Sequence, residues 1–235
     1  MKRAEILYCY DALCGWCFGF SPVVAQLHAE FGKQIPFRVF SGGLFTGERV
    51  GPINAVAPYI KGGAYLTVEE HCGVKFGAAF LDDLNGNGRL TMDSLPPAIA
   101  LSIVKDQAPG RALEFAGVLT NAIYGDGMDP VDLDAYSAYV DRAQIAKAAT
   151  GLALTGDAFR QRMGEPRYAE SAKVDFLISS RIAGGGYPAL LLRMVGPEHE
   201  VPGGDAAPTV PLSQGYSNLD DVRNRLKTLL AKHAG

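Results

Sequence analysis

The stretch that decides the fold runs from residue 8 to residue 22 and reads YCYDALCGWCFGFSP. The apolar and aromatic residues that lead into it, from Ala4 to Tyr10, are typical of a buried strand. The apolar residues that follow it recur at helical spacing, and they are Val23, Val24, Leu27 and Phe31. The pattern predicts a strand, a turn and a helix, with Cys14 and Cys17 at the start of that helix.

The position of these two cysteines indicates redox chemistry. The unpaired N–H groups and the positive end of the helix dipole stabilise an anion, so they favour a thiolate at Cys14. Cys17 lies one turn further along on the same side, where the two sulfurs can form a disulfide without backbone movement. We therefore expect Cys14 to be the exposed sulfur that attacks and Cys17 to be shielded inside the first turn.

A metal site is the main alternative reading of a Cys-x-x-Cys motif. A zinc site needs four ligands, usually with a second Cys or His pair at similar spacing. Cys9 and Cys72 are isolated, and the four histidines never pair at ligand spacing, although His71 adjoins Cys72. We therefore predict no metal. Cys9 is expected to be a core residue of the first strand, and the role of Cys72 stays open.

Composition excludes several classes of function. The chain has 235 residues, of which 48% are hydrophobic, enough for one large domain or one domain with an insertion. A formal net charge of -3 and scattered Lys and Arg argue against nucleic acid as a partner. No apolar run approaches a membrane span, and none has the form of an export signal. We expect a cytoplasmic protein, in which a Cys-x-x-Cys is more typical of catalysis than of a structural disulfide.

The rest of the chain changes character twice. Residues 35–40 alternate as a second strand, which with the first strand and helix makes a βαβ unit. From about residue 52 to residue 180 helical patterns dominate, with a helix capped at Thr67, a glycine-rich loop at residues 75–88 and no run that predicts a strand. The sheet returns after Tyr187 and Pro188, with a hairpin over residues 193–205, an edge strand at residues 209–212 and a last amphipathic helix from about residue 219.

Two distant features fit one known family. The Cys14-Gly15-Trp16-Cys17 helix start and the Tyr187-Pro188 entry to a strand, separated by helices, resemble the DsbA family of thioredoxin-like thiol–disulfide oxidoreductases. With Gly42-Gly43-Leu44 after the second strand, the chain looks like the signal-less bacterial group of predicted protein-disulfide isomerases. The resemblance implies an α/β, thioredoxin-like fold with a large all-helical insertion domain. Residues 1–44 and 183–235 would form the thioredoxin-like domain, and residues 45–182 the insertion.

The resemblance also implies roles for particular residues. Cys14 would attack, Cys17 would resolve, and Pro188 would be a cis-proline that faces the pair. Substrate-binding residues would be Gly15, Trp16 and Tyr187. The resemblance implies no cofactor, because a redox-active Cys14–Cys17 disulfide would carry the electrons. Glutathione is a candidate thiol partner. The substrates would be protein or small-molecule thiols and disulfides. The Gly15-Trp16 dipeptide between the cysteines influences the reduction potential of the pair. It does not decide whether the protein acts as an oxidase, an isomerase or a reductase.

Two other functions compete with disulfide exchange. Kappa-class glutathione transferases and 2-hydroxychromene-2-carboxylate isomerases resemble the same inserted fold, but they carry a serine near the position of Cys14. The second rival is a non-enzymatic module in which Cys14 and Cys17 hold a metal or sense oxidants. The pair of cysteines favours exchange over the first rival. The physiological substrate and the oligomeric state stay open.

Overall fold

The central sheet has four strands in the order β2-β1-β5-β6. In the computed structural model, which describes residues 3–142, 154–184, 186–196 and 207–233, these strands are β1 Arg3–Tyr10, β2 Phe37–Ser41, β5 Ala189–Val195 and β6 Thr209–Gln214. β1 pairs with β2 in parallel and with β5 antiparallel, and β5 pairs antiparallel with β6. The strand pairing brings the two ends of the chain into one sheet and confirms the thioredoxin-like fold class.

Helices surround this sheet and fill the segment between β2 and β5. In chain order they are α1 Gly15–Phe31, α2 Ile53–Val56, α3 Tyr65–Cys72, α4 Ala78–Asn85, α5 Leu95–Gln107, α6 Ala112–Tyr124, α7 Ala135–Arg142, α8 Gly156–Met163, α9 Pro166–Ile182 and α10 Leu219–His233. Single turns occur at Gly47–Arg49, Ile60–Ala64 and Pro109–Arg111. Within the described part of the chain, none of these helices has the length and apolar character needed to cross a membrane.

β1 is buried on both of its faces, which explains its nearly continuous apolar sequence. Ile6, Tyr8 and Tyr10 point into the main core with α1, whereas Leu7 and Cys9 join a smaller cluster on the other face. Cys9 is fully buried there, so the prediction of a core role for this thiol is confirmed.

The inserted segment is helical with one exception. β3 Gly51–Pro52 and β4 Thr91–Met92 pair antiparallel and form a separate two-stranded sheet. The expectation of no strand in this segment is therefore wrong at this point, because two residues are too few to produce an alternating pattern. The division of the chain into residues 1–44 with 183–235 and residues 45–182 stays a prediction.

Two local predictions within the insertion are wrong. Residues 78–85 form α4 instead of a loop, because Phe80 and Leu84 lie four residues apart and bury one face of that helix. Thr67 does not cap a helix, since α3 already begins at Tyr65. The predicted hairpin over residues 193–205 and the later part of the helix predicted after residue 134 lie outside the described residues.

An ion pair between a buried carboxylate and a partly exposed lysine attaches the inserted segment to the sheet. Asp175 on α9 is 3% exposed, and both of its carboxylate oxygens lie 2.7 Å from the Lys105 Nζ on α5. The same carboxylate accepts the N–H of Ser41 at the end of β2, at 3.1 Å. Burial raises the pKa of Asp175, and Lys105 opposes that shift. The pair therefore fixes two helices at the strand end from which the chain leaves the sheet.

Replacing Lys105 by Met should destabilise the protein by about 3 kcal/mol, because it leaves the Asp175 carboxylate buried without its partner. Lys173→Met is the matched control, since Lys173 and Glu170 form an exposed pair and should contribute less than about 0.5 kcal/mol. Urea unfolding of both variants measures the difference. Equal losses in the two variants would contradict the role given to the buried pair.

Candidate active site

Cys14 lies at the N-cap of α1 in an extended backbone conformation. Its Sγ accepts the backbone N–H of Cys17 at 3.3 Å and lies 3.5 Å from the carbonyl oxygen of Tyr187. An N–H donated to this sulfur, at the positive end of the helix dipole, stabilises negative charge on it. Cys14 is 7% exposed, so the expectation of an exposed sulfur is wrong: the site is covered, and Cys14 forms part of the wall of a cavity.

Cys17 is completely buried one turn into α1. Burial raises the pKa of its thiol well above the usual range, and the neighbouring Cys14 adds to the shift. Both cysteines are free thiols in this structure. The two sulfurs are therefore unequal, because Cys17 is completely buried with a raised pKa, whereas Cys14 lies at the helix start and forms part of the cavity wall.

The loop that enters β5 lies against Cys14. The Tyr187–Pro188 peptide bond is cis, as the family resemblance implied, and the Pro188 carbonyl accepts the N–H of Gly215 at 2.8 Å. The half-buried ring of Tyr187 packs closely over Gly42, where an added Cβ would come within 2.9 Å of the ring. Gly42 thus permits the approach of Tyr187, and Tyr187 in turn places its backbone oxygen beside the Cys14 sulfur.

A cavity of about 230 Å³ opens beside Cys14. Four residues predicted for the site contribute to its wall: Cys14, Gly15, Trp16 and Tyr187. Among the described residues that line this cavity, neither Cys17 nor Pro188 appears. Most of the remaining wall comes from the segment between β2 and β5, with Tyr59, Ile60, Ala64, Tyr65, Val68, Phe76 and Tyr124. The sequence did not identify these residues, because only tertiary packing carries them to the cysteine turn.

Trp16 separates this cavity from a shallow groove on its other side. The indole lies 5.9 Å from the His71 ring and 6.5 Å from the Tyr216 ring, measured between centroids. The groove is lined by Trp16, His71, Tyr187, Gly215 and Tyr216. Trp16 and Tyr187 line both the cavity and the groove. A molecule attached to Cys14 therefore has aromatic surface available in two directions.

Asp11, three residues before Cys14, is a buried carboxylate that the sequence analysis did not select. Its oxygens accept the N–H of Leu13 at 2.9 Å, the N–H of Leu44 at 3.0 Å and the hydroxyl of Ser94 at 3.1 Å. Burial raises the pKa of Asp11, and these hydrogen bonds oppose the shift. The carboxylate therefore joins the cysteine turn to the segment after β2 and to the start of α5.

The other two cysteines are placed for packing. The Cys72 sulfur lies over Gly19, where an added Cβ would come within 2.5 Å of it. Burial raises the pKa of both Cys9 and Cys72 to about 11, so both remain thiols at neutral pH. No group of three or more His, Cys, Asp or Glu side chains in the described ranges could hold a metal ion.

Asp11→Asn should change the pH dependence of stability. A carboxyl with a raised pKa in the folded state binds more protons than it does in the unfolded chain, so its contribution to stability falls as the pH rises above about 3.9. Asn cannot ionise, so the variant should gain stability relative to the wild type as the pH rises above about 3.9. Urea unfolding of both proteins at several pH values above pH 4 measures how the difference in their free energies of unfolding changes with pH. A constant difference in stability between the two proteins would contradict the buried ionisation of Asp11.

Comparison with known proteins supports the fold at low sequence identity. No protein-family model matches the chain, and no curated protein gives a significant match. Among solved structures, a candidate protein disulfide isomerase from Nitrosomonas europaea is 18% identical with a TM-score of 0.77, and the match covers 98% of this chain and 99% of that one.

Two further structures match over nearly their whole length. The cytosolic disulfide reductase DsbM from Pseudomonas aeruginosa, also solved with GSH, is 22% identical with a TM-score of 0.68, covering 97% of this chain and 98% of that one. A 2-hydroxychromene-2-carboxylate isomerase is 13% identical with a TM-score of 0.59, covering 98% of each chain. At these identities the likeness shows a DsbA-like fold with its helical insertion.

Proposed function

We propose that this protein is a thiol–disulfide oxidoreductase that uses Cys14 and Cys17 as its redox pair. The observation that carries the proposal is the inequality of the two sulfurs. The Cys14 sulfur lies at a helix start beside a cavity and accepts a backbone N–H. The Cys17 sulfur is completely buried, and burial raises its pKa. Nucleophilic attack requires the thiolate form, and resolution requires a second thiol within reach.

The exchange has two steps. The Cys14 thiolate attacks one sulfur of a substrate disulfide, forming a mixed disulfide and releasing the other substrate sulfur as a thiolate. Cys17 then loses its proton and attacks the Cys14 sulfur, which forms the Cys14–Cys17 disulfide and releases the second substrate thiolate. Two electrons pass from the protein dithiol to the substrate. Oxidation of a substrate dithiol runs the same steps backwards, and the relative reduction potentials set the direction.

The cavity beside Cys14 favours a small thiol or disulfide as one partner. Its volume of about 230 Å³ and its apolar, aromatic wall enclose a short substituent on the sulfur, and the groove beyond Trp16 can accept a longer one. The DsbM structure with GSH shows a thiol tripeptide with a protein of this fold. We infer that glutathione-sized thiols are partners in exchange, and that such chemistry would suit a reducing, cytoplasmic setting.

The rival functions are less well supported by the site. The fold is shared with a 2-hydroxychromene-2-carboxylate isomerase, but that likeness does not explain a second, buried sulfur below Cys14. A metal-holding module would need further ligands, and the described part of the chain brings none to the pair. The attacking and resolving roles explain both cysteines together.

Replacing Cys17 by Ala should trap substrate on Cys14, because the mixed disulfide forms but nothing resolves it. Replacing Cys14 by Ala should abolish both turnover and trapping. Mass spectrometry after exposure to a mixed peptide disulfide identifies the modified sulfur in each variant. Cys72→Ala is the control and should trap nothing while keeping turnover near the wild-type rate. An adduct on Cys17 in the wild type or the Cys14 variant would reverse the assignment.

Enlarging Ala64 to Leu should obstruct the cavity and slow reaction with glutathione disulfide about tenfold, which corresponds to about 1.4 kcal/mol of steric cost. Alkylation of Cys14 by iodoacetamide, a much smaller reagent, should change by less than about twofold. Gly62→Ala is the control, since an added Cβ at that position meets no atom within 4 Å. If Ala64→Leu leaves the glutathione reaction unchanged, the cavity does not hold the substrate.

A further inference from the structure

Arg49 lies at the rim of the cavity beside Cys14. It ends the single turn Gly47–Arg49 that follows β2, and its exposed side chain reaches back along the chain. The guanidinium donates to the Gly43 carbonyl at 3.1 Å. Leu44, the next residue, forms part of the cavity wall. This hydrogen bond therefore holds a cation next to a residue that lines the cavity.

The backbone that anchors Arg49 is itself packed in place. The Phe176 ring lies against Gly43, where an added Cβ would come within 3.1 Å of it. The N–H of Leu44 donates to the Asp11 carboxylate at 3.0 Å. A guanidinium carries several N–H donors and can bind a carboxylate through two parallel hydrogen bonds. After its bond to Gly43, Arg49 still has donors for a ligand.

Tyr59 shows that the charge of Arg49 reaches the cavity. This tyrosine lines the cavity and is 59% exposed. Burial raises the pKa of Tyr59, negative charge on Cys14 raises it further, and Arg49 lowers it. One side chain at the cavity mouth therefore lies within electrostatic range of both the Cys14 sulfur and the Arg49 guanidinium.

The protein's own acids leave Arg49 available. Within the described residues, no carboxylate lies within ion-pair distance of its guanidinium. Asp11 responds to its charge, because Arg49 opposes the rise in the pKa of that carboxyl. However, Asp11 is 2% exposed, and its oxygens are bonded to Leu13, Leu44 and Ser94. A ligand carboxylate can therefore approach Arg49 from solvent without displacing an acid of the protein.

The cavity wall favours a substrate that is apolar near its sulfur. No Asp, Glu, Lys, Arg or His side chain occurs among the described residues that line the cavity. Burying a charge against such a wall is costly, whereas a short carbon chain gains by burial there. A charged substrate would therefore place its carbon chain inside the cavity and its charge at the rim, where Arg49 lies.

We propose that Arg49 makes this site prefer small disulfides that carry a carboxylate a few atoms from the sulfur. The inference rests on the proposed exchange function. When Cys14 attacks, a bond forms between its sulfur and one substrate sulfur, the substrate S–S bond breaks, and the other half leaves as a thiolate. The half that stays on Cys14 occupies the cavity, and its carboxylate binds the Arg49 guanidinium. Arg49 determines specificity and takes no part in the electron transfer.

The test compares three small symmetrical disulfides that differ chiefly in charge at pH 7: anionic 3,3′-dithiodipropionate, neutral 2-hydroxyethyl disulfide and cationic cystamine. Acid quenching and mass spectrometry follow oxidation of the reduced protein by each reagent. In Arg49→Gln, the rate constant for dithiodipropionate divided by that for hydroxyethyl disulfide should fall about fivefold, the effect of losing one exposed ion pair. The corresponding ratio for cystamine should rise. Any change in the general reactivity of Cys14 cancels in these ratios.

Two further variants separate a direct contact from a general effect of charge. Arg89→Gln removes an exposed cation that lines neither the cavity nor the groove, and the ratio for dithiodipropionate should stay within about 1.5-fold of the wild type, because salt screens distant charges. Arg49→Lys keeps the charge without the planar fork and should retain part of the preference. An unchanged ratio in Arg49→Gln, or an equal fall in Arg89→Gln, would overturn the proposal.

The same measurements distinguish failure of this inference from failure of the exchange function. Oxidation of the protein by all three reagents, with a ratio that does not depend on Arg49, would overturn the preference alone and support exchange. If none of the reagents oxidised the Cys14–Cys17 pair, the exchange function would be wrong, and the preference would fall with it.

Discussion

The buried carboxylate of Asp11 holds the active site together. It accepts hydrogen bonds from the cysteine turn at Leu13, from the segment after β2 at Leu44 and from Ser94 before α5. Ser94 also accepts the N–H of Phe45 at 3.0 Å. A buried carboxylate is tolerated only when its oxygens are bonded. The hydrogen bonds of Asp11 therefore form only when these three segments are correctly placed. Together, the three segments hold the turn that carries Cys14 in position.

The chemistry of the pair follows from the elements that Asp11 connects. The turn places Cys14 at the first N–H groups of α1, and the helical segment between β2 and β5 covers it with aromatic side chains. Water is kept from Cys17, whose pKa rises for that reason. The helical segment between β2 and β5 thus supplies most of the wall of the cavity beside Cys14.

The sequence predicted those parts of the structure that depend on local pattern. β1, α1 and β2 follow from apolar spacing, and the cis bond at Pro188 followed from the family resemblance. The cavity wall at Tyr59 and Phe76 could not be predicted, since only tertiary packing brings these aromatic side chains to the cysteine turn. α4 was missed because glycines flank a helix whose two buried residues are too few to show a period. Asp11 was overlooked because its partners are 33 and 83 residues away in the chain.

The central claim is that Cys14 and Cys17 form one two-electron redox couple. Equilibration of the protein in glutathione buffers of graded ratio, followed by acid quenching and mass spectrometry, measures it directly. The account predicts a single transition to an intramolecular Cys14–Cys17 disulfide, with a slope of about 30 mV per tenfold change in the ratio of oxidised to reduced protein. Glutathione that stays attached to Cys14 across the transition, or a dithiol that does not oxidise in any of the buffers, would contradict it.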